Sequence, residues 1–595
     1  MPSRTDLNLL PVPQSLKLSQ GFFSLPRRQP LTAIKIIRTD VAPNHPEGYA
    51  LKISETGIEI SFRETAGLGA ATATLRQLLR EFGRKLPCLR IRDWPDFSRR
   101  GVMLDISRGR VPRLETLLEL AEKLSTFKIN ELQLYTEHTF AYKKYHRIWQ
   151  SWGALTSEEI QILDTRCHEL GIDLVPNQNS FGHLRYFLED PRLKKLGEIS
   201  EPFLAETKDF LRRPTTLAPN HPSTLPFLRG LYDELLPNFS SGLFNIGGDE
   251  TWDLGKGKSE KLFKNKGKGR VYLDFLKKIH REVYARDKTM MFWGDIILKY
   301  PKLIRELPKN VVALNWGYEV NHPFAQEAAQ FAKAKIPFYV CPGTSTWQTL
   351  IGKHDNAFAN LRAAAKAGKK FGALGFLNTD WGDGGHPQPL AVSWPMFAAG
   401  AALAWNSKGF DESKLISILS RDVFEDVSGK ITQAGFKLGF AHQKLGVNAV
   451  NETPLGTVIA APKPAERELF CRNGLRWFTK IPKRKILATL TEIRRQRTAL
   501  LCSKPDSDSG KILARELDLA ARMAEQSCKF MLWQQAVAAG EISEAKRQAQ
   551  SGIRELQQLE KDFNVLWPLR NKATPKHCSP FLRWRMEDYR RGRWD

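Results

Sequence analysis

Leu243-Phe244-Asn245-Ile246-Gly247-Gly248-Asp249-Glu250-Thr251 is a short apolar run that ends in two glycines and two adjacent carboxylates. Read as a strand leaving the edge of a sheet, it sends consecutive side chains in different directions, so Asp249 and Glu250 can reach two different atoms of one bound molecule. The glycines let the backbone approach a ligand or turn sharply beneath it. Gly-Gly-Asp is equally at home in a tight turn, and the surrounding sequence has to decide between the two readings.

That surrounding sequence repeats one pattern. Apolar or β-branched runs end in polar or aromatic residues at Gly101 to Ile106, Ile129 to Tyr135, Ile172 to Pro176, Leu243 to Ile246, Thr289 to Trp293, Val311 to Trp316, Ile336 to Val340 and Ala373 to Leu377. Helical signals fill most of the gaps. Leu114, Leu117, Leu118, Ala121 and Leu124 recur at helical spacing, and Thr156 with Glu159 forms a capping box ahead of Ile160, Leu163 and Cys167. Eight strands alternating with helices predict an α/β fold, a (β/α)8 TIM barrel. In such a barrel the residues that follow the strands meet at one mouth. Arg108, Glu137, His183, Asp249, Glu250, Trp293, Trp316, Trp347, Trp381 and Asp383 all stand there.

The barrel is expected over residues 96–405, with Asp93-Trp94-Pro95-Asp96 at its leading edge. Residues 1–95 carry strand-like runs at Ala33 to Ile37, Gly57 to Phe62 and Cys88 to Ile91 and a helical stretch from Leu68 to Phe82, a small α/β domain. Residues 406–595 turn helical, with long stretches at Lys485 to Leu501, Lys511 to Ala539 and Ser543 to Phe563. Their apolar residues recur at helical spacing, so this C-terminal extension packs onto the barrel or serves as a homo-oligomer contact.

Composition bounds the function classes. A chain of 595 residues that is 42% apolar can bury a large core. No apolar span reaches membrane length, and Met1-Pro2-Ser3-Arg4-Thr5-Asp6 lacks the basic-then-apolar order of a secretory leader, so a cytoplasmic location is expected. Seven cysteines without CxxC spacing argue against a disulfide framework and a zinc site; neither metal nor cofactor is expected. The net charge of +26, with Lys256, Lys258, Lys261, Lys264, Lys266, Lys268 and Arg270 after the carboxylate pair and Arg583, Arg585, Arg590, Arg591 and Arg593 near the end, would suit a polyanion. No nucleic-acid-binding motif accompanies it, so no specific nucleic-acid partner is expected, and the lysine-rich stretch is read as a rim that favours anionic glycans.

Several of these motifs, in this order, resemble glycoside hydrolase family 20, the β-N-acetylhexosaminidases, over most of the first 400 residues. Arg100-Gly101-Val102-Met103-Leu104-Asp105-Ile106-Ser107-Arg108 is similar to the family's first strand, whose terminal arginine binds sugar hydroxyls. Phe181-Gly182-His183 matches the loop histidine that supports the acid, and Gly247-Gly248-Asp249-Glu250 matches the catalytic pair. Trp293, Trp316 and Trp381-Gly382-Asp383 fall at the aromatic wall and the hydroxyl-binding carboxylate. The resemblance implies a glycan substrate and neighbouring-group catalysis, in which the substrate's acetamido oxygen replaces a second carboxylate as nucleophile. Glu250 is then the general acid, with a raised pKa, and Asp249 orients the acetamido group. Two stretches depart from the family pattern. Glu137, in Leu134-Tyr135-Thr136-Glu137-His138, stands where an aspartate is usual, and Cys341-Pro342-Gly343-Thr344-Ser345-Thr346-Trp347-Gln348 lacks the tyrosine that binds the acetamido oxygen.

Each residue also has a plainer role. Arg108 could be a surface ion-pair residue, His183 a loop histidine without a task, and any one of the tryptophans a core residue. Convergence on one mouth is what sets the functional readings above these.

Overall fold

The computed structural model describes residues 7–204, 211–460, 480–572 and 574–593. The N-terminal hexapeptide read for a leader lies outside them.

Eight parallel strands form one sheet in the order Leu243–Asn245, Thr289–Trp293, Val311–Trp316, Phe338–Cys341, Gly375–Asp380, Arg99–Asp105, Glu131–Tyr135 and Asp173–Val175. The two end strands meet: Asn245 N–H donates to the Pro176 carbonyl at 2.9 Å and Gln178 N–H to the Asn245 carbonyl at 3.0 Å, which closes the barrel. Seven of the eight strands end within one residue of the expected mouth-side end, and the last, Gly375–Asp380, runs three residues past the expected Leu377.

Helices Leu114–Thr126, Ser157–Glu169, Thr224–Leu235, Lys268–Tyr284, Phe324–Ala334, His354–Phe371 and Trp394–Trp405 follow strands and lie outside the sheet. The capping box is present, with Glu159 N–H donating to Thr156 Oγ1 at 3.2 Å and Thr156 N–H to Glu159 Oε2 at 2.9 Å. Trp394–Trp405 is buried all round, sandwiched between the barrel and later helices.

Ahead of the barrel, five strands are ordered Ser15–Ser24, Lys85–Asp93, Tyr49–Ser54, Gly57–Phe62 and Ile34–Arg38, and helix Thr65–Phe82 covers one face through Ala70, Ala71, Leu75 and Leu78. After the barrel, helices Lys483–Leu501, Asp508–Ala538 and Ile542–Leu566 pack against one another and against the barrel shell, sharing one continuous apolar core with it. Among the described residues, no helix is long and apolar enough to cross a membrane.

Candidate active site

The strand Leu243–Asn245 ends in a turn that few residues can make. Gly247 and Gly248 have φ of 69° and 90°, and Glu250, with a side chain, is held at 46°. Neighbours lock this turn: Trp293 N–H donates to the Gly247 carbonyl at 2.9 Å, and the Tyr272 hydroxyl to that of Gly248 at 2.9 Å. A side chain at Gly182 would run into the Asp249 carbonyl, so the loop that carries His183 also lies directly on the carboxylate pair.

His183 joins the two acids. Its Nε2 lies 3.2 Å from Asp249 Oδ2 and 3.5 Å from Glu250 Oε2, while Nδ1 faces Glu137 Oε1 at 3.6 Å. Burial alone would push the imidazole down, but Asp249, Glu250 and Glu137 hold it well above its ordinary pKa, so it stands as an imidazolium among three carboxylates. The ligand atoms of His183, Asp249 and Glu250 lie within 4.8 Å of one another, which makes them the set that could hold a metal ion among the described residues. The same closeness lets the three groups share protons, with the histidine held charged between the carboxyl groups.

Arg108 occupies one side of the mouth. Its guanidinium contacts Asp105 at 2.8 Å, Glu137 at 3.3 Å and Asp383 at 3.5 Å, and lies over the rings of Tyr135 and Trp381 at 5.0 and 5.2 Å. Burial raises the pKa of Glu137, opposed by Arg108 and His183. The arginine, histidine and five carboxyl groups are therefore one connected array.

Indole and phenol rings form the other walls. Trp381 packs on Tyr135 at 4.7 Å and on Trp293 at 5.8 Å, and Trp316 stacks on Tyr318 at 5.1 Å. Trp347 meets Tyr318 edge-on at 5.1 Å. Trp293 and Trp347 are almost wholly buried and back the wall, whereas Trp316 is partly exposed. Among the described residues the Trp293 and Trp316 indole N–H groups have no acceptor, which leaves two buried donors for a ligand.

All ten site residues read from the sequence are thus in or directly behind one mouth, and two further residues join them. Asp295, two positions beyond Trp293, accepts the Glu250 N–H at 3.4 Å and steadies its left-handed backbone. Burial, with Asp249 and Glu250 beside it, pushes the Asp295 carboxyl up to about 8. Tyr318, two positions beyond Trp316, is buried, and its hydroxyl lies beside Trp381, Thr379 and the charge of Asp249. The rule that selected Trp293 and Trp316 would have selected both, had it been carried two residues further.

Three of the seven basic residues of the lysine-rich stretch pair with carboxylates. Lys264 pairs with Glu260, Lys266 with Asp274 and Arg270 with Glu306, while Lys256 lies 4.1 Å over the Phe203 ring. Near the C-terminal end, Arg583 and Arg591 pair with Glu560 and Glu587.

A (β/α)8 barrel whose mouth combines adjacent carboxylates, a bridging histidine, a carboxylate-bound arginine and indole walls has the architecture of a glycoside hydrolase. The model of the glycosyl hydrolase family 20 catalytic domain matches residues 97–348, and that of the family's domain 2 matches residues 27–94. The chain belongs to glycosyl hydrolase family 20.

Similar proteins include a beta-N-acetylhexosaminidase of Cellulomonas fimi, 26% identical over 252 residues, covering 39% of this chain and 49% of that one. A lacto-N-biosidase of Bifidobacterium bifidum is 25% identical over 285 residues, covering 45% of this chain and 24% of that one. The chain thus spans half or less of the length of these curated relatives. Among solved structures, a Flavobacterium johnsoniae chitobiase aligns with a TM-score of 0.58 at 17% identity, covering 98% of this chain and 99% of that one. A beta-N-acetylhexosaminidase aligns with a TM-score of 0.57 at 18% identity, covering 70% and 94%. At these identities the structural likeness speaks for the fold.

Proposed function

We propose that the chain is a retaining, exo-acting β-N-acetylhexosaminidase that removes terminal GlcNAc or GalNAc through an oxazolinium intermediate. One observation carries the reading: among the described residues the mouth has a positioned acid, Asp249 lies beside it and is paired with His183, and no free carboxylate stands opposite it to act as nucleophile. Glu137, Asp105 and Asp383 are tied to Arg108, and Asp295 is buried behind Glu250 with its proton held to about 8. Retaining glycosidases with a protein nucleophile place it about 5–5.5 Å from the acid across the bond to be cleaved, whereas family 20 uses the substrate's own acetamido group.

In this reaction Glu250 protonates the glycosidic oxygen as that C–O bond breaks and the acetamido oxygen bonds to the anomeric carbon. Glu250 then takes a proton from the water that reopens the ring. Asp249 accepts the acetamido N–H and offsets the positive charge of the intermediate, while the His183 imidazolium keeps both carboxyl groups in place. Arg108, Asp383 and Glu137 take the outer sugar hydroxyls, and Trp316 and Trp381, backed by Trp293 and Trp347, face the apolar side of the ring.

Tyr318 supplies the hydroxyl absent after the seventh strand, reaching the acetamido oxygen from the end of the sixth. Its place on the Trp381 wall, within the field of the Asp249 charge, supports this, because the two groups would hold the two ends of one amide. Tyr318→Phe is expected to lower kcat roughly 100-fold with little change in KM, the size of effect seen when a charge-stabilising donor is removed. An unchanged kcat would remove Tyr318 from the reaction.

The overall reading is tested with aryl glycosides that differ only at the second carbon, together with a thiazoline mimic of the cyclised intermediate. Only 2-acetamido substrates should turn over, and the mimic should bind at least about 100-fold more tightly than the free sugar. Equal turnover of glucosides would point instead to a glycosidase with a relaxed second-carbon requirement. Tight sugar binding without turnover would point to a glycan-binding protein.

A further inference from the structure

The helical C-terminal region reaches the mouth of the barrel. After helix Ile542–Leu566 the chain turns back and runs along the loop that follows the first barrel strand. Pro112 and Asn571 form an antiparallel bridge, Arg113 N–H donates to the Arg570 carbonyl at 2.8 Å, and Lys572 N–H donates to the Val111 carbonyl at 2.7 Å. The Thr116 hydroxyl also donates to Arg570 O, at 2.9 Å. Lys572 Nζ extends sideways to the Ala154 carbonyl at 2.8 Å and to Glu159 at 2.6 Å, joining the next barrel helix.

Further along, Pro575–Cys578 lies where two active-site loops touch. Gly109 follows Arg108 and Gly385 lies two residues beyond Asp383; a Cβ on Gly109 would come within 2.6 Å of the Gly385 carbonyl and 3.4 Å of Cys578 Sγ. Both glycines have positive φ, 123° and 103°. The Cys578 thiol, 1% exposed, donates to the Gly109 carbonyl at 2.8 Å, and a Cβ on Gly385 would stand 3.7 Å from the His577 carbonyl. His577 stacks on Trp152 with ring centres 3.9 Å apart and planes 18° from parallel. Trp152 in turn packs edge-on at 4.9 Å against His138, the residue after Glu137. The segments adjoining Arg108 and Asp383 thus meet one stretch of the C-terminal region directly, and the segment adjoining Glu137 meets it through Trp152.

We infer that Arg570–Lys572 and Pro575–Cys578 form a strap that sets the position of Arg108 relative to Asp383 and Glu137, making the C-terminal region a determinant of sugar-hydroxyl recognition. The inference rests on the proposed hexosaminidase reading for its kinetic consequence, though not for its structural one. Arg108 is held by three carboxylates at 2.8 to 3.5 Å, and a shift of the loop at Gly109 would redistribute those contacts. Hydroxyl contacts that are equally strong in the bound substrate and the transition state govern KM more than kcat, so loosening the strap weakens binding and spares the chemical step. Cys578 and His577 are positioning residues in this scheme and touch no substrate.

The test compares Cys578→Ala, Cys578→Ser and His577→Ala in the full chain. Amide hydrogen exchange of the peptide spanning residues 107–113 should quicken roughly tenfold in Cys578→Ala and less in Cys578→Ser, which keeps a donor. KM should rise about fivefold in Cys578→Ala, with kcat within about twofold of the parent, and serine should restore most of the loss. His577→Ala, at a half-exposed position, gives the same readout should the buried change prevent folding. Unaltered exchange in 107–113 would overturn the strap, and faster exchange with unchanged KM would overturn its role in recognition. If the parent protein cleaves no acetamido glycoside, the functional reading fails while the exchange experiment still decides the structural one.

Discussion

Glu250→Gln is expected to lower kcat on alkyl and oligosaccharide substrates by about 10²–10⁴, the range by which a positioned general acid accelerates such steps. Glutamine matches glutamate in volume, so the left-handed turn at 46° and its support from Asp295 should survive; what disappears is the proton. The effect should scale with the leaving group. A dinitrophenolate departs without protonation, so formation of the oxazolinium should stay fast with that substrate. The second step still needs Glu250 to activate water, so the intermediate should accumulate and the phenolate should appear as a burst. Stopped-flow absorbance measures both phases. A loss of equal size for good and poor leaving groups, with no burst, would mean that Glu250 is not the acid. Nearly full activity on oligosaccharides would overturn the site assignment altogether.

The barrel was legible because its strands are short apolar runs with polar ends, and that same grammar places site residues just past each run. The long helices were legible from their periodicity, and Lys483–Leu501 and Asp508–Ala538 begin within three residues of the expected starts. The first strand, Ser15–Ser24, was not. Four of its residues in a row are exposed and it carries an irregularity between Leu18 and Phe22, so its sequence shows no alternation, and pairing with Lys85–Asp93 is what holds it extended. Asp295 and Tyr318 escaped because each lies two residues past a tryptophan that had already accounted for its strand end. The strap contact between Cys578 and Gly109 spans 469 positions, and no local pattern encodes such a contact. The pairing of the basic stretch was hidden for a related reason. Lys266 pairs with Asp274 on the following helix, and Arg270 reaches Glu306, 36 positions on and just past helix Pro301–Ile304.

Asp93→Ala is expected to destabilise the protein by about 3–5 kcal/mol, because it strands a buried ammonium. Asp93 is fully buried where the N-terminal sheet, the barrel and helix Trp394–Trp405 meet. Its Oδ2 accepts from Lys128 Nζ at 2.8 Å and from the Tyr49 hydroxyl at 2.8 Å, and its Oδ1 accepts from the Trp405 indole at 2.8 Å and the Gln14 backbone at 2.9 Å. Lys128 Nζ also lies 4.2 Å over the Trp405 ring. Burial lowers the Lys128 pKa and Asp93 opposes that, so removing the carboxylate leaves burial acting alone on the amine. The variant must then either deprotonate Lys128 on folding or admit water to it. Stability lost in this way should be smaller at high pH, where the unfolded lysine also gives up its proton. Asp93→Ala combined with Lys128→Met should recover a large share of the loss, since no charge is left unpaired. Urea denaturation followed by tryptophan fluorescence at neutral pH and near pH 10 measures each of these differences. If the double variant is no more stable than Asp93→Ala, the cost lies in the lost hydrogen bonds of Tyr49 and Trp405, and the buried charge is not what joins the two domains.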